Sequence, residues 1–204
     1  MSTFHPITKP LSHLSEKAIT IIEDKTLLTD ENGIINLQLF ETPIGIMVAC
    51  ATDEGICMLE FIDRRALVTE LKDLKKRLGA NIEPGNNKHF KPLGKQLNEY
   101  FLRKRKKFEL PLITLGSEFQ NKVWKELLEI PYGATRSYKQ QSIAVKNVKA
   151  IRAVASANGA NRISIIIPCH RIIGEDGNLT GYGGGLWRKK WLLDFESGKL
   201  SLFN

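Results

Sequence analysis

The residues best able to do chemistry are Pro168, Cys169, His170 and Arg171, within the stretch IIIPCHRII that covers residues 165–173. A cysteine reacts as its thiolate, and a nearby imidazole can take the thiol proton. Because proline fixes one backbone angle, it ends the apolar strand predicted before it and lets Cys169 sit at a turn. A thiol activated by a histidine, itself oriented by a carboxylate, would be a nucleophile. The alternative is a buried, inert cysteine, but the Pro-Cys-His-Arg context favours the nucleophile.

The other two cysteines, Cys50 and Cys57, lie far from this stretch and belong to no CxxC pair. Three cysteines at these spacings indicate neither a disulfide framework nor a four-ligand zinc site, so we expect no metal. Both fall in strand-like runs, which predicts buried structural thiols.

Helices must position the reactive stretch. Ser117 and Ser137 are each predicted to cap a helix, and a further helix is predicted from Val148 to Asn158 after a tight turn. Two short helices joined by a tight turn are typical of a helix-turn-helix, although many such hairpins bind nothing. The second of the two carries several alanines around Arg152. Small residues there permit close packing on another helix or close approach to a DNA groove.

The chain before this region has a different pattern. Residues 34–113 contain three strand-like runs separated by TPIG and TDEG, which predict an antiparallel meander. Two helices follow, one ended by Gly79 and one beginning near Lys88. Residues 1–33 form either a tail or a short helical extension, with no function assigned. The chain is therefore α+β, with domains at 34–113 and 114–204.

Charge and composition restrict the partners. The formal net charge is +8 and the isoelectric point about 9.4, with +2 in residues 1–113 and +6 in residues 114–204. A basic balance favours an anionic partner, most often nucleic acid, although an inert basic surface is the alternative. No apolar run approaches the ~20 residues of a membrane helix, and no secretory signal is present. We expect a cytoplasmic protein that does not bind membranes.

IPCHRII, followed by GYGGGLWRKKWLL, resembles the active-site region of the O6-alkylguanine-DNA alkyltransferases. The agreement extends to FQNKVWKELLEIPYGATRSY and AIRAVASANGAN, and is strongest over residues 117–196. The resemblance implies a ribonuclease-H-like α/β domain with antiparallel strands, then a helical domain with a winged-helix-like helix-turn-helix. It also implies single-turnover transfer of an alkyl group from O6-alkylguanine, and from O4-alkylthymine, in double-stranded DNA by a monomer without a cofactor. Cooperative binding along DNA is left open.

The resemblance assigns roles to individual residues. Cys169 matches the alkyl acceptor, His170 the base that deprotonates it through a water, and Glu196 the carboxylate that orients the histidine. Asn161 matches the residue that joins this network and supports the turn. The residues matched to DNA contacts are Tyr138, which pushes on the target phosphate, Arg152, which replaces the flipped base in the stack, and Gln120, Asn147 and Arg171. The parts matched to the guanine pocket are Tyr182, the main chain around Val154 and Ile173, and the residues Gly184 and Pro168.

Two other functions share parts of this pattern. Alkyltransferase-like binding modules keep the fold but replace the acceptor cysteine, and Cys169 argues against that class. A hydrolase with a cysteine and a histidine would also activate the thiol, but it would turn over many times.

Overall fold

The structure of the chain, a computed structural model, describes residues 14–23 and 33–200. The described residues form two compact units, one ending at Leu115 and the other beginning at Gly116. Within residues 1–33, the described part contains a helix, α1 (Glu16–Glu23), whereas residues 1–13 and 24–32 lie outside the described residues. Across the described ranges, no helix is both long and apolar enough to cross a membrane.

Among its described residues, the first unit contains a four-stranded sheet in the order β3-β2-β1-β4. The strands are β1 (Ile34–Thr42), β2 (Gly45–Ala51), β3 (Ile56–Phe61) and β4 (Asn81–Pro84). The first three pair antiparallel, so the predicted meander is confirmed. The fourth strand is not predicted from the sequence and runs parallel to β1. Its four residues, the last a proline, are too few to show a strand period.

Both predicted helices of this unit are confirmed as α2 (Leu67–Leu78) and α3 (Phe90–Phe101). Gly79 ends α2 with a left-handed φ of 60°, a conformation that glycine adopts without steric cost. Apolar side chains of α2 pack in one core with the sheet. Leu14 and, from α1, Ala18 and Ile22 belong to the same core, so the described part of the N-terminal region is part of the first unit.

The two cysteines of this unit lie in its core, as predicted. Cys50 is in β2 and Cys57 in β3, and neither is in a disulfide. Burial, and then the neighbouring Cys57, raises the pKa of the Cys50 thiol well above its ordinary value. A thiol that stays protonated is a poor nucleophile, so Cys50 is structural.

Within residues 116–200, the second unit has four α-helices: α4 (Glu118–Leu128), α5 (Tyr138–Ala144), α6 (Ile151–Gly159) and α7 (Leu186–Glu196). The short strands β5 (Arg136–Ser137) and β6 (Ile172–Ile173) pair in parallel. Ser117 and Ser137 cap α4 and α5, so both predicted caps are confirmed. Each serine hydroxyl accepts from the amide of the glutamine three residues later, and the glutamine side chain in turn accepts from the serine amide. With a sheet in one unit and helices dominating the other, the predicted α+β class is confirmed.

Candidate active site

Cys169 follows a segment of tight turns and not the predicted strand. Ile165 has a φ of 72°, and the amide of Ile166 donates to the carbonyl of Ser164, which closes a three-residue γ-turn. A second three-residue turn at Pro168 joins the amide of Cys169 to the carbonyl of Ile167. The predicted strand is therefore wrong. The segment is rich in isoleucine because it is buried, and an apolar run alone does not distinguish a strand from a buried loop.

Asn161 supports this segment through both ends of its amide. Its Oδ1 accepts from the amide of Ile163 at 3.0 Å, and its Nδ2 donates to the carbonyl of Ile167 at 2.9 Å. A β-branched residue at positive φ, such as Ile165, costs of order 1–3 kcal/mol and needs such support from its surroundings. The same Nδ2 lies 3.2 Å from the Sγ of Cys169. One side chain therefore links the shape of the turn to the position of the thiol.

A buried charge network lies behind the turn. Cys169, His170 and Arg171 form a single 3₁₀ turn, and α7 ends at Glu196. The Nε2 of His170 lies 3.0 Å from Oε1 of Glu196, and the guanidinium of Arg171 donates to both oxygens of that carboxylate at 2.8 and 2.9 Å. The amide of Gly133 also donates to Glu196, at 3.2 Å. The carboxylate is thus bound on both oxygens, which fixes the orientation of the imidazole.

The electrostatics of this network define the proton positions. Burial favours the neutral form of Glu196, but His170 and Arg171 outweigh it and hold the pKa of the carboxyl well below its ordinary value. Burial lowers the pKa of His170, although Glu196 acts in the opposite direction. A neutral imidazole that faces a carboxylate carries its proton on Nε2, which leaves the lone pair on Nδ1. Among the described residues, Nδ1 has no hydrogen-bond partner. His170 can therefore accept a proton.

Cys169 lines a cavity of about 680 Å³ in the second unit. This volume is within the range of small-molecule sites. The structure brings four of the predicted residues to this one cavity, namely Cys169, Tyr138, Arg152 and Tyr182. The other lining residues come from α5, the exposed side of α6 and the loops that precede α7: Lys139, Ile151, Ala155, Asn158, Gly159, Glu175, Thr180, Gly181 and Gly183.

The other residues predicted for the pocket do not line this cavity. Val154 is fully buried because it is on the core side of α6. Ile173 lines a separate cavity of about 410 Å³. Pro168 is buried within the turn, and Gly184 is buried with its carbonyl accepting from Arg188 at 2.9 Å. None of these four residues lines the cavity with its side chain in this structure, and their part in the guanine pocket stays a prediction.

The three other residues predicted to contact DNA do not line the cavity, and each has a different environment. Gln120 accepts from the amide of Ser117 as part of the α4 cap. Asn147 is exposed in the turn between α5 and α6. Arg171 is buried, and its Nη1 donates to the carbonyl of Ile130 at 2.6 Å while the rest of the guanidinium binds Glu196. These bonds hold Arg171 inside the protein and would have to break for it to reach DNA, so its predicted contact stays a prediction.

Lys189 belongs to this site but is missed by the sequence analysis. It is fully buried, and its Nζ donates to the carbonyl of Thr180 at 2.6 Å. Burial lowers its pKa to about 8, while the negative charge of Cys169 acts to raise it. The sequence does hold a signal: Lys189, Leu192 and Glu196 are spaced to share one face of a helix. A lysine on an otherwise buried face is unusual without a partner.

We expect Lys189→Met to reduce the thiolate fraction of Cys169 at neutral pH. If a thiolate raises the pKa of the lysine, the cation favours the thiolate equally. Ultraviolet absorbance of the thiolate, titrated against pH, measures the effect. Lys189 is charged below its pKa of about 8, so its support of the thiolate is complete below that pH and is lost as the pH rises through it. The thiol of Lys189→Met should therefore need a higher pH to ionise than that of wild type. Lys190→Met, on the exposed neighbour, is the matched control. Equal thiolate fractions at pH 7 in all three proteins would contradict this role.

Two family models match the chain. Residues 118–198 match a model described as "6-O-methylguanine DNA methyltransferase, DNA binding domain". Residues 35–114 match a model described as "6-O-methylguanine DNA methyltransferase, ribonuclease-like domain". The two matches meet at the division between the compact units, so each unit corresponds to one model.

Individual relatives agree with these matches. A methylated-DNA–protein-cysteine methyltransferase of Methanosarcina barkeri is 41% identical over 162 residues, which are 79% of this chain and 97% of the relative. A protein of the same name from Mycobacterium tuberculosis is 50% identical over 113 residues, 53% of this chain and 68% of the relative. The crystal structure of Mycobacterium tuberculosis OGT in complex with DNA is similar at a TM-score of 0.69 and 36% identity, covering 83% of this chain and 96% of that one.

Proposed function

The chain belongs to the 6-O-methylguanine DNA methyltransferase family, as predicted, and we propose that it repairs DNA by transferring the alkyl group of O6-alkylguanine to its own Cys169. O4-alkylthymine would be a second substrate. The observation that carries this proposal is one turn that joins a thiol lining the cavity to a neutral histidine held by Glu196. The predicted ribonuclease-like class of the N-terminal domain is also confirmed.

The reaction would begin with removal of the thiol proton. Nδ1 of His170 accepts that proton, through an intervening water as the family resemblance implies. The imidazolium that forms is stabilised by the carboxylate of Glu196, which is already ionised and bound on both oxygens. Two groups favour the thiolate left behind: the Nδ2 donor of Asn161 and the buried cation of Lys189.

The thiolate then attacks the alkyl carbon of the substrate. A sulfur–carbon bond forms as the carbon–O6 bond breaks, and the electron pair of the broken bond leaves with the base. The base takes up a proton and becomes ordinary guanine. The product on the protein is a thioether, which is a poor leaving group. Each molecule would therefore react once.

DNA would have to present its damaged base outside the stack, because the O6 atom of a paired guanine is inaccessible to a buried thiol. The side of α6 that lines the cavity supports close approach, since Ala155 and Gly159 there are small and exposed. Exposed cations, Lys139 and Arg152, stand at the same cavity and would attract phosphates. Double-stranded DNA is thus the proposed partner.

Stoichiometry tests the proposal. A duplex carrying O6-methylguanine with a radiolabelled methyl group should transfer one label to each protein molecule and no more. The label should lie on the peptide containing Cys169. Label that stays on DNA would favour a binding module, and repeated release of product without labelled protein would favour a hydrolase.

Arg152→Ala should slow reaction with duplex DNA by roughly tenfold or more, while reaction with free O6-benzylguanine changes little. The arginine is exposed beside the cavity and is proposed to fill the space of the extruded nucleotide, which a free base does not require. Transfer rates with both substrates measure the ratio. Lys125→Ala removes an exposed cation of α4 that does not line the cavity, and should leave the ratio unchanged. Equal slowing of both substrates by Arg152→Ala would place the arginine in the chemical step instead.

A further inference from the structure

We infer that the side-chain amide of Asn158 hydrogen-bonds the edge of the extruded base and so selects guanine; the inference rests on the proposed function. Asn158 lines the cavity that Cys169 lines, and it is on the same face of α6 as Ile151 and Ala155. The residue is buried, with 7% of its surface exposed. Neither its Oδ1 nor its Nδ2 has a hydrogen-bond partner within the described part of the chain.

An unpaired amide is costly in the free protein. A buried polar group without a partner loses about 1–3 kcal/mol, and an asparagine carries both a donor and an acceptor to satisfy. The neighbouring Asn161 shows the contrast, because it bonds through both ends of its amide. An apolar residue at position 158 would avoid this cost. The arrangement is explained if the partner of the amide arrives with the substrate.

The chemistry of the base identifies that partner. In O6-alkylguanine the exocyclic N2 amino group is a donor, and the ring nitrogens on either side of it, N1 and N3, are acceptors. A carboxamide presents one acceptor and one donor side by side, so it can bind such a pair of groups with two parallel hydrogen bonds. Oδ1 would accept from N2, and Nδ2 would donate to the adjacent ring nitrogen.

This geometry discriminates between the two proposed substrates. O4-alkylthymine carries acceptors at N3 and O2 but no donor on its ring edge, so Oδ1 of Asn158 would remain unpaired. A site that holds a buried polar group for one substrate rejects an analogue that lacks the matching group. Asn158 would therefore make this protein prefer alkylguanine to alkylthymine.

The test is a comparison of two bases that differ only at the 2-amino group. Single-turnover rates of methyl transfer are measured from duplexes containing O6-methylguanine or O6-methylhypoxanthine, with wild type and with Asn158→Leu. In wild type, methyl transfer from O6-methylguanine should be faster than from O6-methylhypoxanthine. In the variant, the ratio of these two rates should fall by roughly tenfold, chiefly because O6-methylguanine reacts more slowly. The preference over O4-methylthymine should shrink in parallel.

Thermal melting of the free variant separates this role from a structural one. Because the amide has no partner to lose, Asn158→Leu should melt at or above the temperature of wild type. If leucine lowers the melting temperature, the unbranched side chain of Asn158→Met repeats the rate comparison. Asn81→Leu in β4 is the control, since Asn81 is also buried with an unpaired Oδ1 but belongs to the first unit. The preference of Asn81→Leu for O6-methylguanine over O6-methylhypoxanthine should equal that of wild type.

The failures are distinguishable. A wild type that takes no methyl group from O6-methylguanine overturns the proposed function itself. A wild type that reacts, together with an Asn158→Leu variant of unchanged base preference, overturns only the role of Asn158. A folded variant inactive on both duplexes also overturns it, because loss of edge recognition should spare the reaction with O6-methylhypoxanthine.

Discussion

Cys169→Ala should abolish alkyl transfer completely while binding to duplex DNA remains close to that of wild type. The substitution removes the sulfur that would form the new bond, and no other described side chain at the cavity is a thiol. The groups proposed to hold DNA, including Arg152 and Tyr138, line the same cavity but do not depend on that sulfur. Transfer of radiolabel and a binding titration with an O6-methylguanine duplex measure the two properties separately.

Cys50→Ala is the matched control for this result. Its thiol is fully buried in the first unit, and its raised pKa keeps it protonated. The control should accept one alkyl group per molecule, with any loss confined to stability. Residual transfer by Cys169→Ala, or a loss of stoichiometry in Cys50→Ala, would mean that the acceptor has been misassigned.

Arg171→Met should lower the free energy of unfolding of the second unit by about 3–5 kcal/mol. The substitution keeps much of the side-chain volume but removes the guanidinium that neutralises Glu196. The carboxylate would then keep His170 and the amide of Gly133 as partners but lose both bonds from the guanidinium. Removing one member of a buried ion pair leaves an uncompensated charge, which is why the effect is large. Urea unfolding followed by circular dichroism measures it.

Lys190→Met provides the comparison for this second effect. Lys190 pairs with Asp194 on the same helix, α7, but its side chain is 68% exposed. Exposed pairs contribute about 0–1 kcal/mol, so the control should unfold near wild type. A similar small loss in Arg171→Met would show that Glu196 does not need the arginine to remain buried and charged. Slower alkyl transfer is also expected in Arg171→Met, since Glu196 orients His170.

The parts of the fold that could be predicted are those whose signals are local. Serines before α4 and α5, and the glycine after α2, mark helix ends through their own backbone and side-chain chemistry. The leucine stripe of α2 and the turns between β1, β2 and β3 are equally local. Strand β4 cannot be predicted from local sequence because a short parallel strand depends on a partner that is distant in the chain. The γ-turn at Ile165 cannot be predicted because its positive φ is imposed by contacts such as those of Asn161.

The residues of the candidate site could be predicted from the sequence, but the directions of their side chains could not. Resemblance in sequence identifies residues, but it does not show which way a side chain points. Arg171 follows two residues matched to chemistry and was expected to reach DNA, yet its position in a 3₁₀ turn directs it to Glu196. Lys189 is one of three adjacent cations, and the sequence does not show that the rotation of α7 buries Arg188 and Lys189 but exposes Lys190.

Helix α1 has a practical consequence for anyone who shortens this chain. The family match begins at residue 35, so a fragment trimmed to the recognised family segment would lose α1 entirely. Leu14, Ala18 and Ile22 would no longer cover the core that contains Leu71 and Leu74 of α2. The apolar surface that α1 covers in the first unit, which is far in sequence from Cys169, would then face water. An exposed apolar patch of this kind promotes aggregation. A fragment of this kind would fail through poor solubility, and its low yield of active protein would say nothing about the chemistry at the thiol.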